Sequence, residues 1–262
     1  MPLPPIIFED DALLAFDKPS GLPVAAERGP KAAANLLGLV QARFGAGVAN
    51  VHRLDTEASG VLLCAKTKPA LDFLSGQFQS KTADKRHLAL VALQPPEQAL
   101  RDVAALRAPA GGLPDAFTID LPLRDDQHQK GRMRVGKGGE SRECVTEFRT
   151  LERFGRFAWL ECRPVTGRTH QVRVHLAAVG APIVHDALYG DIEIKLLLSD
   201  LKRGYKGREE EKPLLVRLAL HASELTVKHP TTREALTLRA PLPHDFEIAL
   251  KYLRKFAIGR PR

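Results

Sequence analysis

Apolar positions along this chain follow two rhythms. Ile6-Ile7-Phe8 and Leu13-Leu14-Ala15-Phe16 predict two short strands about the turn Glu9-Asp10-Asp11. The run Val61-Leu62-Leu63-Cys64-Ala65 predicts a buried strand, and residues 87–93 predict another. Ala33, Leu36, Leu37 and Val40 fall at helical spacing over 31–43, and Leu71, Leu74 and Phe78 mark a second amphipathic helix. Residues 94–140 are less regular, punctuated by Pro95-Pro96, Gly111-Gly112 and Gly136-Lys137-Gly138-Gly139. Their polar, basic part from Asp125 to Lys137 predicts a mobile surface hairpin able to contact phosphate, and a plain solvated loop fits it equally well. Strands return at 144–151 and 156–163. Thr166-Gly167-Arg168-Thr169 then turns the chain into a helix, with Thr169 as expected N-cap, Val172, Leu176 and Val179 as apolar stripe, and Gly180 as stop. His170, Arg173 and Ala177 fall on another face of it. Residues 193–213 predict an exposed insertion carrying the basic island Lys202–Arg208. Strands are expected at 215–220, 223–228 and 234–239, and Phe246, Ala249, Leu250, Leu253 and Phe256 predict a closing amphipathic helix. Helices do not alternate one-for-one with strands, and hairpins are frequent. The pattern is that of an α+β fold with a largely antiparallel mixed sheet flanked by helices.

Composition adds little to the fold and more to the partner. A chain of 262 residues, 44% hydrophobic, can bury a sizeable core. It is expected to form a single domain over 1–262, with surface insertions near 124–140 and 193–213. Thirty-nine Lys and Arg against 31 acids give a formal charge of +8, which favours a polyanionic partner; a generically basic protein would show the same balance. Cys64, Cys144 and Cys162 lie far apart with no CxxC pair, which fits a reducing cytosol and argues against a disulfide framework or zinc site. No apolar run approaches membrane-spanning length, and the N-terminus has no secretory pattern. The expected compartment is the cytoplasm.

The candidate chemistry sits at His52-Arg53-Leu54-Asp55-Thr56-Glu57-Ala58-Ser59-Gly60, a polar segment running straight into the predicted strand at 61–65. A carboxylate on a loop anchored by a rigid strand is well placed for catalysis, although a turn Asp that caps nearby amides gives the same local pattern. A second constellation is Gly167-Arg168-Thr169-His170-Gln171-Val172-Arg173-Val174-His175, where Arg168 and His170 lie at a helix start suited to phosphate; holding the loop by hydrogen bonds is an equal reading of both.

Together the two segments resemble the RluA branch of the pseudouridine synthases, through its HRLD-x-x-(T/A)SG loop and its GRTHQ-(I/L/V)-R-x-H segment. Lys18-Pro19-Ser20-Gly21-Leu22 is similar to the family's KPxGL, Pro182–Gly190 to its PI-x-GD-x-x-YG, and Arg217–Ala222 to its RLxLHA. The resemblance runs from about residue 6 to 245. It implies isomerisation of uridine to pseudouridine in ribosomal or transfer RNA, with no cofactor, no metal and no obligate protein partner, by a monomer. Asp55 is implied as the essential aspartate, Arg173 as the arginine beside it, and Arg53 as the cation that enters the space left by an everted base. Lys18, Lys85, Arg168 and His170 join Arg53 as candidate RNA contacts. His52 is placed with them and expected to brace the loop.

The chain departs from the family pattern at two positions. His87 stands where the family usually has a tyrosine that stacks on the target base. Imidazole is flat and can stack, but it is smaller and titrates near neutrality. His185 stands where glycine usually precedes the aspartate, here Asp186. No segment before residue 6 is long enough for the S4-type RNA-binding domain of some relatives, so RNA affinity is expected from the catalytic domain itself. Two other readings are compatible with these residues. One is a catalytically impaired RNA-binding homologue of the same fold. The other is a hydrolase that uses Asp55 with Glu57 as paired carboxylates.

Overall fold

A computed structural model describes residues 2–26, 34–106, 112–202, 204–205 and 210–257. In chain order the elements are β1 (Ile6–Glu9), β2 (Leu13–Lys18), α1 (Leu36–Phe44), β3 (Ala49–Asn50), β4 (Ser59–Ala65), α2 (Lys68–Gln79), β5 (Asp84–Ala92), β6 (Ala116–Asp120), β7 (Leu123–Asp125), β8 (Met133–Val135), β9 (Val145–Phe154), β10 (Phe157–Pro164), α3 (Gln171–Ala178), α4 (Leu198–Leu201), β11 (Leu220–Lys228), β12 (Ala235–Arg239) and α5 (His244–Phe256). The contacts divide into two compact units, Met1–His87 with His221–Pro241 and Leu88–Leu220 with Leu242–Arg262. Both are mixed α and β. The α+β class expected from the sequence is the one observed.

In the first unit β1, β2, β4 and β11 lie side by side, with β12 on β11 and β3 on β4. The pairings are antiparallel except β4 with β11, which run parallel. Every residue of β4 is buried, because its sheet is covered on both faces. Leu13, Ala15, Val61 and Leu63 face Leu74 of α2. Leu14, Phe16, Leu62 and Cys64 face Leu36 and Val40 of α1. An unbroken apolar run is what two-sided burial demands. Helix α1 begins later than 31, at Leu36, where the Asn35 side chain accepts from Gly38 N; residues 31–33 lie outside the described residues.

In the second unit β10, β9 and β6 form an antiparallel sheet, and β7 pairs with β8 as a separate hairpin. The hairpin falls where the polar stretch predicts one. Strand β6 was not expected. Helix α5 buries Phe246, Ala249, Leu250 and Leu253, and Arg217 is bidentate to Asp245 at its start (2.7 and 3.0 Å). The expected strand at 215–220 is an extended segment instead, tied by Ala219 to Val184 and Leu90 through single backbone bonds; β11 begins only at Leu220. The insertion at 193–213 is not wholly exposed, since Leu196 and Leu201 are buried. Gly111, Arg203 and Lys206–Arg208, which include most of the basic island, lie outside the described residues.

Candidate active site

The loop that carries Asp55 is strapped down from below. Lys18, at the end of β2, is 0% exposed. Its ammonium donates to the carbonyls of Pro19 (3.0 Å), Leu22 (2.9 Å) and Thr56 (3.0 Å), which occupies its three donors. Gly21 N donates to Thr56 O (2.8 Å) and the Ser20 hydroxyl to Glu57 O. Lys18 therefore holds the loop and is not presented to phosphate, contrary to its expected role as an RNA contact. Ala58 N closes the turn onto Asp55 O (3.1 Å), and β4 starts at the next residue. Asp55 is half-buried; Glu57 is exposed.

His52 fastens the other end of the loop. Its Nε2 accepts from Leu63 N (3.1 Å), and its ring stacks on Phe78 with centroids 5.1 Å apart and planes 12° from parallel. Burial, and secondarily the charge of Lys85, push its pKa down to about 4. A neutral ring is what that acceptor role requires. The expected bracing role fits this geometry better than direct contact with RNA.

Beside the loop, within the first unit, is an open cleft lined by Arg53, Leu54, Lys85, His87 and Glu224 among others. Arg53 is exposed and Lys85 half-buried. Glu224 is occupied by Arg239 (2.7 Å) and lies 3.7 Å from Arg86, so the cations on this rim outnumber its acid. His87 is held neutral. Burial, then Lys85, His52 and His221, push its pKa down to about 3, so titration near neutrality, expected from its residue type, does not occur here. Its Nδ1 is buried with no hydrogen-bond partner among the described residues.

The second unit holds the other constellation. Arg173, 2% exposed, sits inside rather than on a free helix face. It is bidentate to the buried Asp186, Nε to Oδ2 and Nη2 to Oδ1, both 2.8 Å, and its guanidinium lies 5.3 Å over the Tyr189 ring. Tyr189 Oη accepts from Met133 N (2.8 Å) and is hydrogen-bonded to His170 Nδ1 (2.8 Å). Arg168 Nε donates to Glu143 O (3.1 Å). The helix starts differently from expectation. His170, not Thr169, is the N-cap, in the left-handed region at φ 53° with no side-chain cap. The turn that leads into the helix is pinned by Gln171, whose Oε1 accepts from Arg168 N (3.0 Å) and Thr166 Oγ1 (2.8 Å) while its Nε2 donates to Val145 O (2.8 Å) and Thr146 Oγ1 (2.9 Å). All four bonds of the amide are made.

His175 extends that network. Its Nε2 donates to Leu121 O (3.0 Å), which leaves Nδ1 to accept from Thr146 Oγ1 (2.9 Å). Burial pushes its pKa down to about 4. His52, His87 and His175 are thus below the ordinary histidine value in the folded state. Their contribution to stability is complete above about pH 6.5 and is lost as pH falls toward 4, because the unfolded chain binds protons first. Each contributes up to ~1.4 kcal/mol per pH unit in that window. The melting temperature is expected to fall steadily from pH 6.5 to 5, and a flat profile would contradict the buried neutral imidazoles.

A family model described as RNA pseudouridylate synthase matches residues 12–178. The chain belongs to the RNA pseudouridylate synthase family. Ribosomal large subunit pseudouridine synthase D of Xanthomonas campestris pv. campestris is 34% identical over 263 residues, covering 95% of this chain and 69% of that protein. Ribosomal large subunit pseudouridine synthase C of Salmonella typhimurium is 35% identical over 257 residues, covering 95% and 70%. Among solved structures, human RNA pseudouridylate synthase domain containing 4 superposes with a TM-score of 0.65 at 24% identity, over 95% of this chain and 92% of that one. Human RNA pseudouridylate synthase domain containing 1 gives 0.64 at 23%, over 91% and 83%. These two share the fold.

As an RNA pseudouridine synthase, an isomerase, the chain departs from its family's usual residues at sites with a visible physical setting. His185 has φ 60°, in the region where glycine is at ease and other residues are strained; that accounts for glycine being usual there. The Nε2 of His185 is buried with no hydrogen-bond partner among the described residues. His87 replaces a phenol with a smaller neutral ring that has a buried, unused nitrogen. Sequence reasoning did not find the supporting residues Ser59 and His221, hydrogen-bonded at 2.9 Å where β4 and β11 run parallel. Among the described residues no group of three His, Cys, Asp or Glu is arranged to hold a metal, and no helix is long and apolar enough to cross a membrane.

Proposed function

We propose that this synthase converts uridine to pseudouridine in large-subunit ribosomal RNA, with Asp55 as the essential carboxylate and the target nucleotide everted from its stack. The observation that carries the reading is the Asp55 loop, strapped to the sheet by Lys18 and adjoining a cleft rimmed by Arg53 and Lys85. The bond from N1 of uracil to the ribose breaks, the base turns, C5 bonds to the sugar, and the C5 proton is released. As the first bond weakens the sugar gains positive charge, and a fixed carboxylate stabilises it, by attack or by accepting a proton. Arg53 stacks in the space the base leaves, which offsets part of the unstacking cost. Arg173 and His87 are included as the family resemblance assigns them, and Lys85, Arg168 and His170 as RNA contacts. The enzyme works in the cytoplasm as a monomer, without metal or cofactor. The relatives' names supply the ribosomal substrate class.

The test is tritium release from RNA carrying 5-tritiated uridine, with the native chain and His87→Tyr side by side. Release is expected from both, at equal or higher turnover in the variant, since a larger ring restores a stacking face and His87 carries no charge to lose. RNA binding without release by either chain would favour the impaired homologue. Collapse in the variant alone would give the imidazole a specific task.

A further inference from the structure

The β7–β8 hairpin sets two arginines directly opposite each other in its register. Arg124 and Arg134 are register partners, flanked by Leu123 opposite Val135 and Asp125 opposite Met133. Leu123, Met133 and Val135 pack with Val174 and Tyr189, so the arginine pair takes the other face of the ribbon. Like charges directly opposite across a ladder are destabilising. No hydrogen bond to either Nε and no ion pair among the described residues offsets this pair. Each Nε is buried without a hydrogen-bond partner, and neither residue has an ion pair within 4 Å among those residues. Asp126 is shared: Arg132 Nε is 4.0 Å from it, and Arg134 adds only a through-space attraction. Arg124 is also fixed in place. Its Nε lies over Gly136, where a Cβ would come within 2.5 Å. From residue 123 to 136 the ribbon carries Arg124, Lys130, Arg132 and Arg134 against Asp125 and Asp126.

Two cations on one face of a short ribbon, each with an unpartnered buried donor, form a site that an anion completes. We propose that Arg124 and Arg134 form a clamp for one phosphodiester of the RNA backbone. A guanidinium offers a planar fork that suits phosphate oxygens, and two forks on one phosphate cancel the mutual repulsion. The choice of RNA as the source of the phosphate rests on the function proposed above.

The test uses the full chain, its Arg124→Gln, Arg134→Gln and double variants, and a short uridine-containing RNA hairpin followed by fluorescence anisotropy across a salt series. Because one phosphate is shared, either single substitution is expected to weaken binding by roughly 3–10-fold, the second to add little, and the slope of log affinity against log salt to shrink by about one in the double variant. Without RNA, the melting temperature of each variant is expected to hold or rise, since repulsion is relieved. Unchanged affinity and slope overturn the clamp. Additive losses with a slope change near two also overturn it, in favour of independent contacts, and a lowered melting temperature with normal binding assigns the pair to packing. Tritium release keeps the two proposals apart. A native chain that releases none but shows the slope change retains the clamp and loses the proposed reaction, and the converse result does the opposite.

Discussion

Replacing Asp55 with asparagine is expected to abolish pseudouridine formation while leaving a folded, RNA-binding protein. The side chains are isosteric, and the loop backbone is held by bonds from groups other than the carboxylate. Its backbone is set by the Lys18 ammonium on Thr56 O, by Gly21 N on the same carbonyl, and by Ala58 N on Asp55 O. None of these is touched by the substitution, so stability is expected to change by less than about 1 kcal/mol. The chemistry has no such reserve. An amide neither attacks a sugar nor stabilises its developing charge as a carboxylate does, and losses on the order of 10³–10⁴-fold follow when one such group is removed. That is roughly 4–5 kcal/mol of transition-state stabilisation. Single-turnover tritium release on the variant, with circular dichroism and RNA affinity as controls, reads the split. A folded Asp55→Asn protein with native turnover would remove Asp55 from the mechanism. Glu57→Gln is the companion: with an exposed side chain, it is expected to retain activity, and an equal loss there would favour paired-carboxylate hydrolysis.

Features governed by local rhythm were legible in the sequence. Strand β4 and its preceding polar loop are one such case, since two-sided burial leaves an unbroken apolar run. The amphipathic helices α2 and α5, the β1–β2 hairpin and the β9–β10 pair are others. What failed depended on partners distant in sequence. Lys18 reads as a solvated or phosphate-seeking cation in its loop; its burial becomes visible only when Thr56, 38 residues on, supplies a carbonyl. Thr169 is a sound local N-cap, yet His170 takes that position, and the turn before the helix is held instead by Gln171, which binds Arg168 N and is anchored in turn on Val145 and Thr146. Strand β6 is five residues long, with only Phe117 and Ile119 turned inward, and it follows a proline- and glycine-rich stretch that masks so short an alternation. His87 illustrates the same limit in electrostatics: residue type indicates a titrating ring, and its surroundings remove the charge.

Gly60→Ala is expected to be the most damaging single-methyl change in the first unit. Gly60 has φ 115°, a conformation that residues with a Cβ rarely adopt. There is also no room. In the parallel register of β4 and β11 Gly60 faces Ala222, and a Cβ would fall 2.1 Å from the Ala222 carbonyl oxygen and 2.7 Å from its nitrogen. Both obstacles are backbone, so no side chain can swing aside. Either the β4–β11 pairing opens or the strand rotates, and each disturbs the Ser59–His221 bond next to it and the base of the Asp55 loop. Backbone strain and overpacking together are expected to cost roughly 3–5 kcal/mol, a large share of the roughly 5–15 kcal/mol typical of a folded protein. The melting temperature should drop by about 10 °C or more, or the protein should fail to accumulate in soluble form. Gly76→Ala supplies the control. Gly76 lies inside α2, and a methyl group there would meet nothing within 4 Å, so helix propensity alone should raise stability by ~0.5–1 kcal/mol. If the two variants melted alike, close approach of Ala222 would not be what requires glycine after Ser59, and the structural reason offered for that part of the catalytic motif would have to be abandoned.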